Sequence, residues 1–182
     1  MKTIAVEYNV YKYNELSADA KEKVKEWYLE GQDPCIFSAD CKEDLHNLFG
    51  RNNLDVQYSL ASCQGDGFNI YGTIDAHTIF NCLEKHNGGT QLPKFEDMLT
   101  DKEKKTILAY AEECGAIELP MNRHYCYSLA DYIDIVEEWI WRLEYADYRD
   151  INEDVLRKFE KLVRGIFYTL CKDYEKQGYD FF

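Results

Sequence analysis

Cys63 has the most chemistry to offer. It stands beside Gln64-Gly65-Asp66-Gly67, and its thiolate would be a nucleophile if His46, His77, His86 or His124 served as the base. No oxyanion-hole signature accompanies it, and a cysteine at a strand end next to a turn accounts for the same residues. Asp66-Gly67 reads as a turn. It lacks the carboxylate series of a calcium loop and the Lys-Ser/Thr of a phosphate loop. The four histidines share no ligand spacing, and the seven cysteines are scattered without a CxxC. Neither a metal site nor a disulfide framework is expected, and the thiols read as reduced, small apolar residues. The expectation is a non-enzyme without cofactor.

Charge carries more information. Asp131, Asp134, Glu137, Glu138, Glu144, Asp147 and Asp150, followed by Glu153 and Asp154, form the densest acidic stretch, with only Arg142 and Arg149 as bases among them. Over the whole chain 34 acids face 21 bases, a formal charge of -13. Such a surface repels nucleic acid and anionic lipid and suits a basic partner, such as a protein that itself holds DNA or RNA. The stretch has two readings: a docking face that imitates phosphate spacing, or the solvated side of an amphipathic helix. Fifteen tyrosines, many in the second half, add residues that favour interfaces and leave room for a homodimer. Direct nucleic-acid binding is not expected, because aromatic stacking sites normally come with a basic groove.

Behind these residues lie the elements that position them. Val56 to Ile74 alternates apolar and polar residues on both sides of Gln64–Gly67 and predicts a β-hairpin. Thr3 to Tyr13 alternates in the same way and predicts a first strand. Ser17 caps a helix running to about Glu30, with Leu16, Ala20, Val24 and Trp27 or Tyr28 on one face. Pro34 is read as linker, and a second helix is expected from Ser38 to before Gly50. Asp75 caps a third, with Ala76, Ile79, Phe80 and Leu83 inward. Asn87-Gly88-Gly89 is the sharpest breaker and divides the chain into 1–87 and 90–182. Thr100 and Glu103 make a capping box for a helix ending at Gly115. Ile117 to Leu119 and His124 to Tyr127 are short strand candidates. Ser128 with Asp131 predicts the start of a helix carrying Ile133, Val136, Ile140 and Leu143. The last helix is expected from about Asn152 to Gln177, ended by Gly178, its broad stripe implying burial on more than one side. The fold class expected is α+β: a small antiparallel sheet with a central hairpin, packed by helices and followed by a helical hairpin. No apolar run reaches membrane-spanning length, and the N-terminus shows no signal peptide, so a cytoplasmic location is expected.

Two stretches carry a resemblance. Leu16 to Tyr28, LSADAKEKVKEWY, resembles the "LS-x-x-A-K-x-K-A-x-x-W-Y" opening of a family of small phage and mobile-element proteins. Ser62-Cys63-Gln64-Gly65-Asp66-Gly67-Phe68, with Gly72, resembles that family's "S-Q-G-D-G-x-x-F-x-G" hairpin, with Cys63 inserted between Ser62 and Gln64. Members are often labelled antitoxins of toxin–antitoxin stability systems. By length, acidity and opening residues the whole chain also resembles the type II-A anti-CRISPR proteins. That resemblance implies stoichiometric binding to Cas9, with its guide RNA loaded, in a bacterial cytoplasm, and interference with target-DNA binding or cleavage. The alternative it leaves is an antitoxin-like protein that neutralises a different partner. For the inhibitor reading, the contact residues expected from charge and from the hairpin turn are the seven acids from Asp131 to Asp150, together with Gln64 and Asp66.

Overall fold

The computed structural model describes residues 12–30, 34–60, 66–85, 99–121 and 126–181. Helices α1 (Ala18–Glu30) and α2 (Pro34–Phe49) lead into strands β1 (Asn53–Ser59) and β2 (Gly67–Ile74). Helices α3 (Ala76–Lys85) and α4 (Asp101–Cys114), strand β3 (Ile117–Leu119), and helices α5 (Val136–Tyr145) and α6 (Glu153–Phe181) complete the described chain. The fold is α+β, with an antiparallel sheet in the order β1-β2-β3. Positions 3–11 of the expected first strand, Cys63, Gln64, His86, His124 and the Asn87–Gly89 breaker lie outside the described residues. Tyr13 opens a 3-10 turn ending at Glu15.

Local chemistry sets several of the element ends. The Ala20 N–H donates to Ser17 Oγ at 3.3 Å, and the Thr78 N–H to Asp75 Oδ1 at 2.7 Å. In the Thr100–Glu103 capping box the Thr100 N–H donates to Glu103 Oε2 at 2.7 Å and the Glu103 N–H to Thr100 Oγ1 at 3.3 Å. Asn52 shapes the α2–β1 corner: its amide donates to Leu45 O and Gly50 O, and its Oδ1 accepts from the Leu54 N–H. In β2, Gly72 has φ +122°, and a Cβ there would fall 2.1 Å from the Asn53 carbonyl oxygen, so the position admits no side chain.

Four expected boundaries move. The second helix begins at Pro34 rather than Ser38, because proline is suited to a first helical position, where its missing N–H is not needed. Ser128 and Asp131 do not start a long helix. Asp131 sits in a 3-10 turn, Ala130–Tyr132, and α5 begins at Val136. The last helix passes through Gly178 to Phe181. Gly178 serves packing there: a Cβ would meet Leu60 Cδ1 at 2.2 Å and the Phe37 ring at 3.1 Å. Cys126 and Tyr127 belong to no strand.

α6 is the spine of the core. Phe159 meets Phe80 of α3 at 5.4 Å and Trp139 of α5 at 5.8 Å between ring centroids. Two turns on, Phe167 stacks on Phe49 of α2 at 5.7 Å, and Tyr174 meets Phe68 of β2 at 5.2 Å. Among the described residues, Asn69 is the buried polar side chain of the core. It donates to Pro120 O and accepts from the Leu129 N–H, both at 2.9 Å, tying the sheet to the segment before α5.

Candidate interaction surface

Two tryptophans on α5, two residues apart, point to opposite sides. Trp139 is fully buried, while Trp141 is 67% exposed. Tyr145, one turn beyond Trp141, is 87% exposed, and the two rings lie near parallel with centroids 6.1 Å apart. Helical spacing puts Glu137 and Glu144 on the same outward side, one turn before and after Trp141. Neither carboxylate has an ion pair among the described residues.

The helix ends in a turn that presents two more acids. The Tyr148 N–H donates to Leu143 O and the Asp147 N–H to Glu144 O, the two bonds of a Schellman motif. Asp147 occupies the left-handed position usually given to glycine, with φ +56°, and Asp150 follows with φ +64°. Both are exposed.

Of the remaining expected contact residues, Asp134, Glu138 and Asp66 have duties within the fold, and Gln64 lies outside the described residues. Asp134 is exposed, but its Oδ1 accepts from the Glu137 N–H at 3.0 Å, capping α5. Glu138 pairs with Arg142, whose guanidinium also donates to Cys114 O. Asp131 lies away from the aromatic pair, beside α6. Asp66 is half-buried and accepts from Ser59 Oγ at 2.6 Å, at the base of the hairpin. The structure thus brings Glu137 and Glu144 together around Trp141 and Tyr145, with Asp147 and Asp150 in the turn beyond. Trp141 escaped the sequence reading, although Trp139-Ile140-Trp141 in an amphipathic helix already requires one indole to face outward.

No other chemistry gathers here. Among the described residues no group of histidine, cysteine and carboxylate side chains could hold a metal ion. Cys41, Cys82, Cys114 and Cys171 are buried thiols. Burial pushes Cys82, Cys114 and Cys171 up to about 11 and Cys41 to about 12, which keeps them protonated. No described helix is long and apolar enough to cross a membrane. No protein-family model, curated protein or solved structure matches the chain.

Proposed function

We propose that this chain is a non-enzymatic inhibitor that binds a basic, nucleic-acid-handling protein, with guide-RNA-loaded Cas9 as the named partner, and so blocks target-DNA binding or cleavage. The observation that carries the reading is the exposed Trp141–Tyr145 pair framed by Glu137, Glu144 and Asp147. Large aromatics with a polar handle are the residues on which binding energy concentrates, and their π faces attract guanidinium and ammonium groups. The surrounding carboxylates supply the complementary sign for a surface built to hold phosphates. Cas9 holds DNA in positively charged channels and reads its flanking motif with arginines, so an acidic competitor has a defined place to act.

The test is DNA cleavage by guide-loaded Cas9 with this protein titrated in at several salt concentrations. Inhibition should saturate near equimolar protein and weaken as salt rises. Trp141→Ala should weaken inhibition by about tenfold or more while moving stability by no more than about 0.5 kcal/mol. Glu144→Lys should act in the same direction through the association rate. Full cleavage at large excess of the protein would sink the Cas9 reading and favour an antitoxin-like role.

A further inference from the structure

The minority charge of this chain is also organised. Arg157, Lys161 and Arg164 follow one another at i, i+4 and i+7 on α6, and with Tyr168 and Asp131 they line an open groove of about 630 Å³. Arg164 is held firmly: its Nε donates to Ile133 O at 2.9 Å, and its guanidinium pairs with Glu160 at 2.9 Å. Glu160 in turn accepts from the N–H groups of Ile135 and Val136 at 2.9 and 3.0 Å, so its charge is committed inside the fold. Arg157 has only a 3.3 Å contact with Glu153, both side chains being largely exposed. Lys161 has neither an ion pair nor a side-chain hydrogen bond among the described residues. Asp131 is the uncommitted carboxylate on the groove wall, and Tyr168, 48% exposed, ends the line of cations.

We infer that this groove binds a ribonucleotide unit. Arg157 and Lys161 take the phosphate, the Tyr168 ring stacks on the base, and Asp131 accepts a hydrogen bond from the ribose 2′-hydroxyl. A cationic groove next to an exposed aromatic is the arrangement by which single strands are held without sequence readout. Along the helix axis Lys161 lies about 6 Å beyond Arg157, and Arg164 about 4.5 Å further, so the cations can follow a phosphate chain rather than a single ion. A carboxylate on the wall repels phosphate but accepts from a hydroxyl, which selects ribose over deoxyribose. The net charge of -13 opposes a polyanion at long range. At physiological ionic strength that repulsion is screened beyond about 8 Å, and the lining itself carries three cations, Arg157, Lys161 and Arg164, against two carboxylates, Asp131 and Glu160. The inference departs at this one place from the composition-based expectation of no nucleic-acid contact, and it does not rest on the identity of any protein partner.

The probe is a fluorescein-labelled oligouridylate of about eight nucleotides, followed by anisotropy against the full chain, with oligodeoxyuridylate of equal length and uridine monophosphate as the other arms. RNA should bind, and Lys161→Glu should weaken it by about tenfold or more. Tyr168→Ala should weaken it by about tenfold. DNA should bind several-fold more weakly than RNA, and Asp131→Ala should erase that difference. Lys161 and Tyr168 are exposed, so circular dichroism should show both variants folded. Displacement of the RNA by the monophosphate assigns a free nucleotide as ligand; its failure to displace assigns a strand. Absence of RNA binding, or equal binding by Lys161→Glu, overturns the inference, and equal affinity for DNA overturns the role of Asp131.

Discussion

In α6, the side chains of Val155, Leu156, Phe159, Leu162, Val163, Ile166, Phe167, Leu170, Cys171 and Tyr174 are buried. In α1, none of the described side chains is buried; Val24 is 38% exposed and Trp27 is 72% exposed. Both helices carry an apolar stripe at helical spacing. The difference lies in what covers it. α6 runs across β2, α2, α4 and α5, whereas no described element packs broadly on α1. Periodicity therefore says which side of a helix is apolar, and tertiary packing decides whether that side is used. A helix of α1's length is marginal without such packing.

Removing an aromatic from each helix should separate them most clearly. Phe159→Ala should cost about 3–5 kcal/mol by urea unfolding, because the ring leaves a cavity between Phe80 and Trp139. Trp27→Ala should stay within about 0.5 kcal/mol, as expected for an exposed position. Equal losses would mean that α1 is as integral to the core as α6. Gly178→Ala sharpens the account of α6's last turns. Alanine favours a helix by about 1 kcal/mol, but its Cβ must displace Leu60 Cδ1 and crowd the Phe37 ring, which is packed against Tyr58 and Phe68, so a net loss of about 1 kcal/mol is expected. A gain would show that the helix end does not press on the hairpin. Asp147→Gly should do the reverse, raising stability by about 0.5–1 kcal/mol by relieving a left-handed aspartate while weakening partner binding.

The smallest effect concerns the contact between α6 and α4. Lys158 of α6 donates to Glu103 at 2.6 Å, and with the Thr100 hydrogen bonds it holds that carboxyl at about 2, below its usual 4.5. A depressed carboxyl favours the fold above its unfolded pKa, and that contribution fades as pH falls from about 4.5 to about 2. Glu103→Gln should thus be less stable than the parent at pH 7, and the gap should narrow as pH falls from about 4.5 through about 2, as read from paired denaturation curves.

The hairpin was legible because alternation and a glycine turn are local signals, and the register Val56↔Ile70, Tyr58↔Phe68 follows the predicted inward residues. Ile117 to Leu119 was only one of two short strand candidates around Pro120, and its pairing with β2 is what settles it. The start of α5 was not legible. Ser128 and Asp131 have the spacing of a cap, while part of the capping comes from Glu160 on another helix, which leaves no local trace. Gly178 misled because glycine commonly ends helices, and its use here depends on Leu60 being opposite. In the candidate surface the acids were visible from charge alone. Their partition into capped, paired and outward groups required the helix ends and the Arg142 contact.

The grip of Glu160 on α5 has a consequence for the order of events during synthesis. When Val136 to Tyr145 leaves the ribosome, the carboxylate that receives two of the helix's first amide protons is still 24 residues away. α5 then has only Asp134 to hold its leading turn, and a segment this short does not persist alone. Its helix is completed when α6 folds back along it, so the two elements emerge as one cooperative unit. The amide protons of Ile135 and Val136 should accordingly exchange with solvent in step with the middle of α6, and not with the frayed ends of the other helices.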